Sequence, residues 1–134
     1  MIKRNVFNEI PHPLQLNVDF RGTICDIFYG TKINHVAIIK SKKNSIRGNH
    51  FHKKTTQHIL ILKGQLEYWY TNYNKKKSMP RFVIANEGDM ISTPPFEIHA
   101  LRITKKNEFI VFSQGLRGGK DYEKDTFRVE NIIK

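Results

Sequence analysis

The sequence predicts an all-β domain, a sandwich or barrel, and three observations carry that prediction. Helical periodicity is scarce along the whole length of 134 residues. Short runs rich in β-branched and aromatic residues recur instead. Turn-forming residues separate those runs at the spacing that sandwiches and barrels show.

Taken in order, strands are expected near residues 23–28 and 34–39, separated by Gly30-Thr-Lys32. Lys42-Lys-Asn-Ser45 breaks the chain before a short strand at 50–52. An apolar strand at 58–62 stops at Lys63-Gly64, and 66–70 resumes with Leu-Glu-Tyr-Trp-Tyr. A polar stretch from Asn72 to Ser78, which includes Lys75-Lys76-Lys77, leads to a strand at 81–85. Asn86-Glu-Gly-Asp89 turns into 90–93, and Pro94-Pro95 ends that strand. The strands at 100–104 and 109–112 flank the break Lys105-Lys-Asn107. The segment from Arg117-Gly-Gly-Lys-Asp-Tyr122 begins as loop, and 127–133 reads as a last strand or an edge segment. One domain is expected over 1–134, with its core at about 19–115 and a tail at 116–134.

Composition narrows the function classes. No run approaches the roughly 18 apolar residues of a membrane span. The first residues, Met1-Ile-Lys-Arg-Asn-Val6, lack a signal-peptide core. The single cysteine, Cys25, forms no internal disulfide and no cysteine-rich zinc site. The cytoplasm is the expected compartment. The net charge of +11 suits a nucleic acid, an acidic surface or a phosphorylated ligand. The lysines sit in short clusters where turns fall, however, and no recognition helix or aromatic-basic repeat is present. No nucleic-acid or membrane partner is therefore expected.

The chemistry concentrates on a few histidines. His50 and His52 are two apart, so on a strand both project to one face and can bind one cation together. After the turn Lys53-Lys-Thr-Thr56, Gln57 shares a face with Ile59 and Ile61, while His58 shares the other with Leu60 and Leu62. Gln57 and His58 compete for the inward position, and only one can hold it. The apolar face of Leu60 and Leu62 is compatible with pairing into a homodimer.

The segment from Asn44 to Gly64 resembles the first cupin motif: Asn44, five residues, His50-Phe-His52, four residues, Gln57, six residues, Gly64. Asn stands for the motif's first Gly, and Asn is the next best residue at positive φ. Gln57 stands for its metal-ligating Glu. The second motif is matched by Gly88, five residues, Pro94-Pro-Phe96, two residues, His99, three residues, Ile103, with Phe96 and Ile103 as departures.

The resemblance implies a single cupin (jelly-roll) β-barrel in which His50, His52, Gln57 and His99 converge on one buried site. It also implies one divalent metal there, of the Zn, Ni, Fe or Mn kind that neutral imidazoles ligate. Gln57 brings no charge, so a bound ion would keep its full +2, a stronger Lewis acid held more weakly. The alternative is a metal-free polar pocket. His12, His35 and His58 are the lesser candidates as ligands.

Asp19-Phe-Arg-Gly22, Arg47-Gly-Asn-His-Phe-His52 and Asp125-Thr-Phe127 further resemble the cupins that act on nucleotide-activated deoxysugars. These are dTDP-4-keto-6-deoxyglucose 3,4-ketoisomerases, dTDP-4-dehydrorhamnose 3,5-epimerases and the cupin half of capsular-polysaccharide reductase-epimerases. That resemblance implies proton removal beside a sugar ketone, with His50 as the base. A metal, or Arg47 and Lys53, would meet enolate charge, and Arg21 would suit a pyrophosphate of a dTDP- or UDP-linked sugar. Tyr68 and Tyr70 share a strand face and would stack on base or sugar, or else belong to a core or interface.

Three departures matter. The region Asn34-His-Val-Ala-Ile38 lacks the ketoisomerases' catalytic Tyr, Ile59 stands nearest the epimerases' Lys, and Gln57 replaces the reductase-epimerases' Glu. Two other readings stay open: a non-catalytic sugar- or nucleotide-binding cupin, and a metal-dependent dioxygenase.

Overall fold

A computed structural model describes residues 1–75 and 78–134; Lys76 and Lys77 of the predicted polar turn lie outside the described residues. The strands are β1 (Ile2–Asn5), β2 (Leu16–Asp19), β3 (Gly22–Cys25), β4 (His35–Ser41), β5 (Ile46–Phe51), β6 (Thr56–Asn72), β7 (Arg81–Asn86), β8 (Asp89–Thr93), β9 (Glu97–Gln114) and β10 (Phe127–Arg128). Every described pairing is antiparallel.

The architecture follows from two long bent strands. Two predicted breaks, Lys63-Gly64 and Lys105-Lys-Asn107, are not loops. They lie within β6 and β9, where the mutual register of those strands shifts at bulges. Gly64 takes φ 83°, and a Cβ there would lie 2.6 Å from Asn107 Cβ, so the two bends stack on each other. Local turn residues thus bend a paired strand without ending it.

Beyond the bends the sheet folds over into two layers. One layer runs β10, β5, the first half of β9, the second half of β6, then β7. The other runs β4, the second half of β9, the first half of β6, β8, then β1. Inward residues from both layers form one apolar cluster that includes Ile59, Ile61, Leu66, Ile91, Leu101, Ile103, Phe109 and Val111. This is the cupin jelly roll. Among the described residues it is a two-layer sandwich, with open edges at β10 and β7 in one layer and at β4 and β1 in the other, not a barrel closed by hydrogen bonds.

One expectation about an outer surface changes. Leu60 and Leu62 do not form a free face, because Val6, Cys25, Ile27 and Phe28 of the chain's own first segment pack over them. Among the described residues, β2 and β3 pair only with each other, as a hairpin. No helix among the described residues is long and apolar enough to cross a membrane.

Candidate active site

Strand register sets the site. In the first layer His50 pairs with His99, and His99 pairs with Tyr70. In the second layer Thr93, Gln57, Ser113 and His35 stand in one row across β8, β6, β9 and β4. The two rows face each other across a cavity of about 390 Å³, whose lining includes His35, His50, Gln57, Tyr68, Thr93 and His99. Gln57 wins the inward position over His58. His58 points outward, bonded to Ser92 Oγ at 2.7 Å and Gln114 Oε1 at 2.8 Å.

The three motif histidines meet. Ring centroids lie 4.9 Å apart for His50 and His52, 4.7 Å for His50 and His99, and 5.6 Å for His52 and His99. One nitrogen from each lies within 4.8 Å of the others. Burial comes first in holding these rings neutral. With the neighbouring imidazoles, Arg117 and Arg128 added, the pKa of His50 falls to about 2. Burial, set against the Glu97 carbonyl, brings His99 to about 4. His52 is lowered too, again chiefly by burial.

Neutral rings carry one N–H each, and the backbone decides where it sits. His99 Nδ1 donates to Glu97 O at 3.1 Å, and His52 Nδ1 donates to Asp125 O at 2.7 Å. Both therefore present Nε2 lone pairs inward, the arrangement that carbonyl partners give to metal-ligating histidines. His52 Nε2 lies 3.1 Å from the Gln57 amide. Two oxygens cannot share one imidazole proton. With the amide turned over, its NH2 donates to His52 Nε2 and its oxygen accepts from Ser113 Oγ, which satisfies each group. His50 differs from its neighbours: its Nδ1 is buried and has no partner among the described residues.

Residues beyond the motifs complete the site, and they come from the segment expected to be a tail. Arg117, Tyr122, Thr126 and Arg128 line the cavity. Arg128 pairs with His50 in the β10–β5 ladder. Buried Asp125 accepts from Lys53 N at 3.0 Å, Lys54 N at 2.9 Å and Thr55 Oγ1 at 2.8 Å. Burial alone would raise its carboxyl, but Thr55, the two amides and His52 hold it below the ordinary value. Asp125 thus fixes the turn after His52 with its carboxylate and the ring itself with its carbonyl. The only sequence signal for these roles was the quoted Asp125-Thr-Phe127.

A sequence profile described as the polysaccharide biosynthesis C-terminal domain matches residues 17–127, most of the chain. The chain belongs to this family. No functionally curated protein matches it by sequence. Among solved structures, a 3,4-ketoisomerase from Helicobacter canadensis superposes with a TM-score of 0.71 at 16% identity, over 87% of this chain and 86% of that one. The dTDP-4-dehydrorhamnose 3,5-epimerase of Sulfolobus tokodaii gives 0.68 at 16% identity, over 83% and 70%. The capsular polysaccharide assembling protein CapF of Staphylococcus aureus gives 0.58 at 19% identity, over 90% of this chain and 34% of that one. These likenesses establish the cupin fold.

Within this polysaccharide biosynthesis domain, the sequence-predicted substrate residues divide. Arg47 lines the cavity, its guanidinium held by Ser41 Oγ at 2.8 Å and Lys40 O at 3.2 Å. Tyr68 also lines it, stacked on His99 with ring centroids 6.0 Å apart. Its hydroxyl is engaged with Thr93 Oγ1 at 2.5 Å and donates to Glu97 Oε1 at 2.9 Å. Burial, reinforced by the Glu97 charge, pushes that phenol well above its usual pKa.

Tyr70 faces the same way but packs against the core beneath Arg81, whose guanidinium lies 5.5 Å from its ring. It is not part of the lining. Lys53 is turned away, its ammonium over the Phe127 ring at 4.3 Å, because it begins the turn that leaves the cavity. Arg21 is exposed on the β2–β3 hairpin and ion-paired with Asp19 at 2.7 Å, apart from the cavity of this chain. His35, a lesser candidate from the sequence, does line the cavity.

Proposed function

We propose that this protein is an isomerase or epimerase of a nucleotide-activated 4-keto-6-deoxysugar, dTDP- or UDP-linked, serving bacterial surface-polysaccharide biosynthesis in the cytoplasm. The observation that carries this reading is the buried, unpartnered Nδ1 of neutral His50 in a cavity lined by Arg47, Arg117 and Arg128. A neutral imidazole with a free lone pair is a general base for a proton beside a ketone. The guanidiniums match a diphosphate and a developing enolate. An anionic ligand against Arg117 and Arg128 would offset two of the charges that suppress His50, so its basicity rises as substrate binds. Fold relatives point to the same ligand class. A 3,4-ketoisomerase of this fold was solved with TDP-4-keto-6-deoxyglucose, and an epimerase with dTDP-4-keto-L-rhamnose.

The donor set also fits a divalent metal. His52 and His99 present Nε2 inward, and His50 adds a third nitrogen within 4.8 Å. Such an ion would polarise a carbonyl oxygen as a Lewis acid. Gln57, the fourth motif residue, would contribute its amide oxygen only by releasing the hydrogen bond to His52. A homodimer remains part of the proposal.

The test is proton exchange. dTDP- and UDP-linked 4-keto-6-deoxysugars are incubated with the protein in heavy water and followed by proton NMR, with elemental analysis of the same preparation. Deuterium entering beside the ketone, lost by about 100-fold or more in His50→Asn, is the expected result. Oxygen uptake with bound iron would point to the dioxygenase. Ligand-induced stabilisation without exchange or turnover would leave only the binding module.

A further inference from the structure

Among the described residues three buried side-chain polar atoms lack a partner: Asn107 Oδ1, His50 Nδ1 and His35 Nδ1. Asn107 sits at the bend of β9 and is not part of the cavity lining. The other two both line the cavity, and they enter it from opposite layers. His50 stands on β5, at the height of His99. His35 stands on β4, at the height of Ser113, in the row that also holds Gln57 and Thr93. Gly118 (φ 84°) lies against its imidazole; a Cβ there would come within 2.6 Å of Nε2. The C-terminal segment therefore packs on the Cδ2–Nε2 edge of the ring, and Nδ1 is left buried without a partner.

Of the other ionisable groups of the lining, Tyr68 and His99 are held by hydrogen bonds, and Tyr122 is 48% exposed to solvent. Tyr68 is bonded to Thr93 and Glu97, and His99 Nδ1 to the Glu97 carbonyl. Tyr122 packs its ring under the Arg117 guanidinium at 4.2 Å. A reaction that removes a proton and returns one needs two groups, and the opposed layers supply two unengaged imidazoles.

We propose that His35 is the second proton-transfer residue of this site, so that the cavity inverts a carbon beside the sugar ketone. The proposal rests on the isomerase-or-epimerase reading above and narrows it to epimerisation. The C–H bond breaks toward His50, whose Nδ1 takes the proton. The electron pair forms the C=C bond of an enolate, and the ketone oxygen takes the negative charge. The enolate then collapses, and a new C–H bond forms on the opposite face with a proton from the imidazolium of His35. His50 ends protonated and His35 neutral, and exchange with water resets both.

Full-length wild type, His35→Asn, His35→Gln and His50→Asn are compared on a dTDP-4-keto-6-deoxysugar in heavy water. Loss of the proton beside the ketone and formation of the inverted sugar are read separately by NMR. Two variants at position 35 allow the comparison to use whichever keeps the wild-type melting temperature and nucleotide binding. The inference expects such a variant to exchange within about 3-fold of wild type but to invert at least about 100-fold more slowly. The expectation for His50→Asn is loss of both. Inversion at the wild-type rate in a folded position-35 variant overturns the role of His35, as does equal loss of exchange and inversion. Exchange by wild type with no inverted product also overturns it, while the proton-abstraction reading stands. Wild type that binds nucleotide sugar and exchanges nothing overturns that underlying reading, and the inference with it.

Discussion

The two ends of the sandwich interior are built from the same strands and do opposite things. Near the bends of β6 and β9 the inward residues are Ile61, Leu66, Ile103 and Phe109, each almost fully buried and apolar. Toward the open end the same alternation places Gln57, His99 and Ser113 inward, with Thr93 beside them on β8. These polar side chains are as buried as the apolar ones, from 7% exposure for Gln57 to 0% for Ser113. One end contributes burial of apolar surface. At the other, burial is a cost that hydrogen bonds must offset. Two imidazole nitrogens at that end stay unmatched. Asn107 Oδ1 at the bend is unmatched as well, so it is the place of the two imidazoles on a cavity wall, and not the missing partner alone, that points to function.

Four measurements would break or sharpen this contrast. The largest effect is expected at the apolar end. Phe109→Ala should cost about 3–5 kcal/mol in chemical denaturation, because a ring buried to 1% exposure leaves a cavity among both layers. A loss under 1 kcal/mol would mean that this end does not carry the stability.

Asp125→Asn comes next. An amide cannot accept from Lys53 N, Lys54 N and Thr55 Oγ1 as the carboxylate does. About 2 kcal/mol should be lost, with faster proteolysis of the segment after Gln114. Unchanged proteolysis would show that Asp125 does not hold that segment.

Acid should act chiefly on the polar end, where the buried histidines lie. His50 and His99 hold folded pKa values of about 2 and about 4 against 6.5 unfolded, and His52 is lowered as well. Below pH 6.5 the unfolded chain binds protons that the folded chain refuses, so stability falls as pH drops from 6.5 toward 4. Each such histidine adds about 1.4 kcal/mol per pH unit. Asp125, held below 3.8, adds a further loss as pH falls through and below that value. Melting curves of chelator-treated protein should show this slope, and His50→Asn should flatten it. An unchanged slope would refute the assignment of His50 as a neutral buried ring.

The smallest effect is expected at Phe96, which holds φ 65° where the second motif carries Gly. Its ring lies 6.4 Å from Phe51 and 6.3 Å from Tyr73. Phe96→Gly exchanges that packing for relief of about 1–2 kcal/mol of backbone strain. Its melting temperature should stay near wild type, and Phe96→Ala, which keeps the strain and loses the ring, should melt lower. The reverse order would place the strain elsewhere.

Legibility in the sequence followed distance along the chain. The period of two placed His50 with His52 and put Gln57 in line with Ile59 and Ile61. Motif spacing brought His99 to them. Asn44, in the place of a motif glycine, takes φ 71° as a residue tolerant of that region should. Lys63-Gly64 and Lys105-Lys-Asn107 were legible as interruptions but not as bulges, because a turn signal does not reveal that the flanking strand stays paired.

What the sequence determined by itself, then, is what periodicity and fixed spacing encode: the all-β class and the inward faces of β6, β9 and the His-x-His segment. The tertiary structure decided which layers face each other and what closes the cavity. Asp125 reaches His52 across 73 residues, and Arg128 reaches His50 across a strand pair of two residues. His35 gains its place from pairing with Ser113 near the far end of β9. Lys53 and Arg21 have the right chemistry but are turned away by a turn and a separate hairpin. Side-chain type is local information, whereas direction across a folded sheet depends on register between strands far apart in sequence.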